Sequence, residues 1–289
     1  MKIFVTGASG FVGSAVVREL LEHGYQVIGL ARSEAGAARI ASAGAEVLRG
    51  SLEDSASLQR GAAASDGVIH TAFIHDFSNY AASVAADGRA IEALGEVLSG
   101  SGRPLLVTSG AVRAASGVAT EDTPADPSFP RRSEASALPF AARGVRVAVV
   151  RLPPTVHGEG DHGFVPELIR IAREKRVSAF VGEGSNRWPA VHRLDAARAF
   201  RLALEHAPAG TRVHAIAEEG IPTRAIATVI GKRLDLPVEP RPIEHFGWLG
   251  RFFSFDVPSS SAKTRQLLGW QPVEADLLTD LDHPRYFAE

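Results

Sequence analysis

Thr6-Gly7-Ala8-Ser9-Gly10-Phe11-Val12-Gly13 sets glycines at every third position between an apolar run, Ile3-Phe4-Val5, and an amphipathic one, Val12 to Leu21. A strand that turns tightly into a helix leaves the first N–H groups of that helix unpaired and its positive dipole end exposed. That is the chemistry of a pyrophosphate site. Gly7 would make the turn, Gly10 would let the backbone approach the phosphates, and Gly13 would let the helix lie close on the strand. Ser9, Phe11 and Val12 complete the expected contact set. The alternative is a glycine turn with no ligand, and the flanking strand and helix favour the ligand. No Gly-Lys-Ser/Thr follows, which excludes a P-loop.

In such a fold the second strand ends beside the adenosine ribose. An acid there hydrogen-bonds the ribose hydroxyls of NAD, and a cation accepts the 2′-phosphate of NADP. The second apolar run ends Ile28-Gly29-Leu30-Ala31 and continues Arg32-Ser33, with Glu34 already in the next helical pattern. No acid stands at the tip. Arg32 offers a planar fork for phosphate and Ser33 a hydroxyl, so NADP(H) is expected ahead of NAD(H). The alternative for Arg32 is a solvated surface side chain. Leu52, in Gly50-Ser51-Leu52-Glu53-Asp54, is expected to cover one adenine face.

These groups need a frame. Strand patterns at Lys2–Thr6, Gln26–Ala31, Glu46–Leu48, Gly67–Thr71, Pro104–Ser109 and Val145–Leu152 alternate with helical ones. The helical patterns fall at Phe11–His23, Glu34–Ala43, Ser55–Ala63, Tyr80–Leu98 and Ser133–Arg143. Strict alternation with short Val/Ile/Leu-rich strands predicts an α/β fold, a Rossmann-type doubly wound parallel sheet with helices on both faces. After Arg151 the character changes: Trp188, Trp248 and Trp270 all lie beyond it, and Pro and Gly become frequent. The expected organisation is a dinucleotide-binding domain over residues 1–151 and a smaller C-terminal substrate lobe over 152–289, interwoven with the end of the sheet. Phe246, Trp248, Phe252, Phe253 and Phe255 crowd one stretch, where a satellite core is expected in preference to a lid.

Composition bounds the function. The chain carries 31 Lys and Arg against 33 Asp and Glu with no basic stripe, which excludes a nucleic-acid footprint. It has no cysteine, hence no disulfide, thiolate nucleophile or Cys-based metal site. No apolar run reaches membrane-span length, and the N-terminal one is too short for a signal peptide. A cytoplasmic protein acting on a small molecule is expected. His157-Gly158-Glu159-Gly160-Asp161-His162 has no regular ligand spacing, so no metal is expected. No Gly-x-Ser-x-Gly elbow marks a serine hydrolase.

With these residues in place, the chain resembles the extended short-chain dehydrogenase/reductase superfamily, related to nucleotide-sugar epimerases and dehydratases. Besides the glycine turn, Val68-Ile69-His70-Thr71-Ala72 looks like that family's fourth strand and Leu105-Leu106-Val107-Thr108-Ser109 like its fifth. Val191-His192-Arg193-Leu194-Asp195-Ala196-Ala197-Arg198-Ala199 is similar to its V-H-V-D-D-x-A-x-A helix start. Ser261-Ala262-Lys263 through Leu268-Gly269-Trp270-Gln271-Pro272 is similar to its S-K-A…L-G-W-x-P. The resemblance implies cofactor contacts from Thr71, Thr108 and Pro153. It also implies a Tyr-x-x-x-Lys pair, and here the chain departs from the pattern. None of Tyr25, Tyr80 and Tyr286 is followed by Lys four residues later, and the aligned segment reads Pro130-Arg131-Arg132-Ser133-Glu134.

Another group must then serve a reduction. Ser109, or Thr108 beside it, is the best-placed hydroxyl for holding a substrate oxygen. His157 is the candidate proton donor, because an imidazole titrates near neutrality. Glu134 is a candidate for holding a water or the nicotinamide ribose, the alternative being an acid that complements a helix dipole. His75-Asp76 at the same sheet edge, and Arg187, His192 and Arg193 as an anion grip, are weaker candidates against a polar loop and ordinary ion pairs. The expected activity is an NADPH-dependent reduction of a small, mostly apolar carbonyl, imine or activated alkene. The alternatives are a non-catalytic NADP(H)-binding sensor and a nucleotide-sugar epimerase or dehydratase with bound NAD. The resemblance implies a homodimer through the helices near Tyr80–Leu98 and Ser133–Arg143; the Ala-rich small faces of the first would allow such packing and suit a monomer equally.

Overall fold

The structure, a computed structural model, describes residues 1–76 and 79–288. In chain order the first half runs β1 (Lys2–Thr6), α1 (Phe11–Glu22), β2 (Gln26–Ala31), α2 (Glu34–Ser42), β3 (Glu46–Arg49) and α3 (Ser55–Ala63). It continues through β4 (Gly67–His70), α4 (Tyr80–Leu98), β5 (Pro104–Gly110), α5 (Ser133–Ala137) and β6 (Arg146–Leu152). The second half adds β7 (Thr155–His157), α6 (Phe164–Lys175), β8 (Ser178–Val181), β9 (Arg187–His192), α7 (Arg193–His206) and β10 (Thr211–His214). It ends with β11 (Glu218–Pro222), α8 (Thr223–Leu234), β12 (Val238–Arg241) and short helices and turns.

Seven strands form one sheet in the order β10-β6-β5-β4-β1-β2-β3, and every neighbouring pair is parallel. Side chains alternate across it as the two-residue period requires. Ile3 and Val5 join a core with α1, α2 and α7, through Val16, Leu20, Ile40 and Phe200. Phe4 points the other way, into a core with α3 and α4 through Leu58, Ile91 and Leu94. Both faces are covered, which is why these strands read as apolar runs. The winding reverses at the gap between β1 and β4, the place where doubly wound folds bind ligands.

One expected helix is shorter than its pattern. The α-helix begun at Ser133 ends at Ala137, and Leu138–Arg143 forms a 3₁₀ turn closed by Gly144 in the left-handed region. Pro139 is the reason, because it has no N–H to continue the α-helical ladder.

After β6 the chain builds two small sheets, β11-β9-β7 and β12-β8, over a third core that includes Trp188, Ile226, Phe246 and Phe253. The crowded aromatics are therefore mostly core: Phe253 is fully buried against Trp188, while Trp248 stays exposed. From β9 the chain returns through α7 to β10, which pairs with β6 at the edge of the large sheet. The buried Trp270 donates its indole N–H to the Asp195 carbonyl at 3.0 Å, and the Asp195 carboxylate accepts the N–H groups of Val273 and Glu274. The two motifs of the second half thus form a latch between α7 and the C-terminal segment. Among the described residues, no helix is long and apolar enough to cross a membrane.

A buried ion pair ties the edge together. Arg151 of β6 is fully buried and donates from Nε and Nη2 to the two carboxylate oxygens of Glu134, both at 2.9 Å. Arg212 of β10 pairs with the same carboxylate. Removing one partner of a buried pair leaves the other charge uncompensated. Glu134→Gln is therefore expected to cost about 3 kcal/mol in chemical denaturation, and an unchanged midpoint would show that α5 is held by packing alone.

Candidate active site at the carboxyl edge of the sheet

The glycine turn adopts the geometry its spacing demands. Gly7 has φ +70°, and a Cβ there would lie 2.7 Å from Thr71 Oγ1 and 2.8 Å from the Ala72 nitrogen. A Cβ on Gly13 would lie 2.0 Å from the Gly7 carbonyl oxygen, so only glycine lets α1 come this close to the turn. Gly10 is the N-cap of α1. It provides no capping side chain, and the first turn contains no acid. The N–H groups of Phe11, Val12 and Gly13 thus face the sheet edge without a capping partner, which fits a dinucleotide pyrophosphate. Above them stand two cationic or titratable groups from the second lobe. The Arg193 guanidinium lies 5.3 Å from the Phe11 ring centroid, and the His162 ring meets the same ring edge-on at 5.6 Å.

At the tip of β2, Arg32 and Ser33 are exposed. Ser33 Oγ accepts the Gly36 N–H at 3.1 Å as the N-cap of α2, which leaves the hydroxyl proton available to a ligand. Among the described residues Arg32 has no carboxylate within ion-pair distance, whereas Arg49 nearby is paired with Glu34. Leu52 packs into the core beside Leu30 and Ile28 and is only 9% exposed, so it forms a floor to this corner rather than an open platform.

Two hydroxyls expected at the cofactor join strand ends. Thr71 Oγ1 donates to the Thr6 carbonyl at 2.7 Å, and Thr108 Oγ1 donates to the His70 carbonyl at 2.8 Å. Pro153 is buried in the link from β6 to β7. Ser109 is half-buried at the end of β5, and among the described residues its hydroxyl has no hydrogen-bond partner. Beyond it the chain opens into a cleft of about 470 Å³ lined by Arg113–Gly117 and Ser254–Asp256.

Two catalytic expectations are corrected. Glu134 is not free to hold a ribose or a water, because both its oxygens are taken by Arg151 and Arg212. It faces the β6–β10 edge, and its proximity to a helix start in the sequence concealed those partners. His157 is not an accessible acid. It is fully buried in β7, its Nδ1 lies 2.9 Å from Asp280 Oδ2, and burial draws its pKa down to about 4. The neighbouring His192, ring to ring at 5.3 Å, is also lowered to about 4, by burial and then by His157. The Tyr286 hydroxyl accepts the Gly158 N–H at 3.0 Å and reaches Asp280 at 3.1 Å, so the C-terminal turn secures the loop that carries His162.

A network that the sequence did not announce crosses the edge from β1 to α5. The Thr6 hydroxyl meets His70 Nδ1 at 2.8 Å, His70 Nε2 meets Asp87 Oδ1 at 3.2 Å, and the Ser133 hydroxyl donates to Asp87 Oδ2 at 2.5 Å. Burial pushes the Asp87 carboxyl up. Its hydrogen bonds to His70 and Ser133, with the nearby charge of Arg131, outweigh this and hold it below the usual carboxylate range.

A family model describing the NAD dependent epimerase/dehydratase family matches residues 3–216. The chain belongs to that family. It is thereby an extended short-chain dehydrogenase/reductase, of the NAD(P)-dependent oxidoreductase, epimerase and dehydratase type. It is 54% identical to an uncharacterised protein of Schizosaccharomyces pombe over 99% of this chain and 100% of that one. It is 31% identical to the 2-alkyl-3-oxoalkanoate reductase of Stenotrophomonas maltophilia over 71% of this chain and 66% of that protein. The crystal structure of dTDP-glucose 4,6-dehydratase from Streptomyces venezuelae with NAD bound has the same fold, with TM-score 0.77, 22% identity, and coverage of 98% and 95%.

Gly13→Ala is expected to abolish dinucleotide binding in a fluorescence titration, since the added methyl group must displace the turn; retained affinity would place the pyrophosphate elsewhere. A second expectation concerns pH. The folded chain keeps His157 and His192 neutral down to about pH 4, while the unfolded chain protonates them near 6.5. Between those values the unfolded state binds more protons, so stability falls as pH falls through the window. Calorimetric Tm should drop from pH 7 to 4.5, and His157→Gln should flatten that slope.

Proposed function

We propose that this chain is an NADP(H)-dependent reductase of a small, mostly apolar carbonyl, imine or activated alkene. The observation that carries the reading is the corner at the end of β2. There Arg32 is exposed and unpaired among the described residues, Ser33 offers a hydroxyl, and no acid is placed to take the ribose hydroxyls of NAD. The α1 N-terminus would hold the pyrophosphate, with Arg193 and His162 on its outer side. When bound, the reduced nicotinamide supplies a hydride from its C4. The hydroxyl of Ser109, uncommitted at the end of β5, holds the substrate oxygen or nitrogen against the ring. With Glu134 and His157 withdrawn and no Tyr-x-x-x-Lys pair, the proton comes from water at the open side of the site. Imines and activated alkenes tolerate this best, because they develop less alkoxide charge.

A reductase is favoured over an epimerase or dehydratase by Arg32. The Stenotrophomonas maltophilia relative is also a reductase by name. NADPH consumption against a panel of aldehydes, ketones, imines and activated alkenes tests the activity. Arg32→Ala is expected to weaken NADPH roughly tenfold, the scale of a charge-assisted phosphate contact, and to leave NADH unchanged. Equal affinity for both nucleotides in the unaltered protein would overturn the NADP(H) assignment.

A further inference from the structure

Arg131 has no part in the scheme above, yet it stands at the same carboxyl edge of the sheet. It precedes α5 and lies at the carboxyl end of β5. Its Nε donates to Ser133 Oγ at 2.9 Å and its Nη2 to the Thr108 carbonyl at 3.0 Å. Its guanidinium carbon sits 4.1 Å from the centroid of the Phe73 ring. Among the described residues its Nη1 has no hydrogen-bond partner and no carboxylate pairs with the guanidinium directly; Asp87 opposes its charge through the shared Ser133 hydroxyl. Most other sheltered arginines are held differently: Arg151, Arg198, Arg201 and Arg212 each have a carboxylate.

The position is rigid before any ligand arrives. Ser133, which anchors Nε, is locked by Asp87, and Asp87 by His70 and Thr6, all buried. The Thr108 carbonyl that holds Nη2 belongs to the residue next to Ser109. One edge of a fixed guanidinium and one uncommitted hydroxyl therefore stand at neighbouring positions on the same strand end. The strand order β5-β4-β1 sets this place two strands away from the glycine turn, roughly 10 Å at ordinary strand spacing. Arg131 is thus at the nicotinamide side of the edge, away from the pyrophosphate. His75, whose ring lies 5.2 Å from that of Phe73, adds an imidazole to the same rim. A planar fork with an open edge matches a carboxylate better than any neutral group.

We infer that the small substrate, apolar in the rest of its body, carries a carboxylate next to its reducible group, as a 2-oxo acid does, and that Arg131 grips this carboxylate while Ser109 holds the oxygen. The inference rests on the reading of the site as a nicotinamide-dependent reductase. It makes Arg131 the residue that separates acids from their neutral analogues, since an ester leaves the fork unmatched.

The test is a calorimetric titration of the NADP⁺-loaded protein with 2-oxobutanoate and with its methyl ester, which needs no turnover. The acid is expected to bind at least about tenfold tighter than the ester, in line with a charge-assisted pair. Arg131→Gln should erase that ratio and leave NADP⁺ affinity within about twofold, and Arg131→Lys should keep part of the ratio because it keeps the charge but not the fork. Thermal melting establishes that each variant is folded, and Arg131→Lys carries the comparison if Arg131→Gln is not. Equal binding of acid and ester, or a ratio that survives in the variants, overturns the inference. So does a loss of NADP⁺ affinity in Arg131→Gln with the ratio intact, which would assign Arg131 to the cofactor. Failure of the unaltered protein to bind NADP⁺ is the separate failure of the reductase reading. The same acid-against-ester comparison on the unloaded protein then decides the role of Arg131.

Discussion

The approach of α1 to the turn that precedes it governs the whole carboxyl edge. The Gly7 carbonyl lies where a Cβ of Gly13 would be, so the helix begins directly over the end of β1 with its first N–H groups uncapped. An uncapped helix start next to a sheet is stable only if water or an anion completes it. Arg193 and His162 cover its outer side, Arg32 extends it toward β2, and the ends of β4 and β5 continue it toward Ser109.

Two buried polar systems keep those strand ends in place, and they differ in kind. The first sets Arg151 and Arg212 on the one carboxylate of Glu134, engages both of its oxygens, and holds α5 against β6 and β10. The second, Thr6-His70-Asp87-Ser133, ends in a guanidinium whose remaining edge is open. Buried charge is costly unless matched. The first encloses its carboxylate, whereas the second leaves Nη1 of Arg131 without a hydrogen-bond partner among the described residues. The same distinction separates His157 from His75. Both are imidazoles near the second lobe, but only His75 reaches solvent.

The second lobe acts on the first through contacts far apart in the chain. Trp270 and the backbone of Val273 and Glu274 close on Asp195 at the start of α7, and Tyr286 closes on Gly158. These contacts place the loop bearing His162 over Phe11. The C-terminal residues therefore help to shape the roof of the dinucleotide cradle, although they belong to neither its glycine turn nor its strands.

Local physics made much of this legible in advance. Alternation of apolar runs with helical periods sets the order of strands and helices, because side-chain direction in each element depends on residues two to four positions away. The glycine turn and the missing acid after β2 are equally local, being matters of backbone freedom and of which side chain stands at one strand tip. Pro139 was a local signal too, and it shortens the helix begun at Ser133. The fates of the ionisable groups were of another kind. Glu134 meets Arg151 17 positions away and Arg212 78 positions away, and His157 meets Asp280 123 positions away. Whether such a group is a free acid, a support or an open fork depends on burial and on partners that only the folded chain brings within 3 Å. Electrostatic interactions acquire their strength in that low-dielectric setting and have almost none in an extended chain. That is why tertiary structure alone decided that Glu134 and His157 are enclosed by partners and that Arg131 stands at the carboxyl edge.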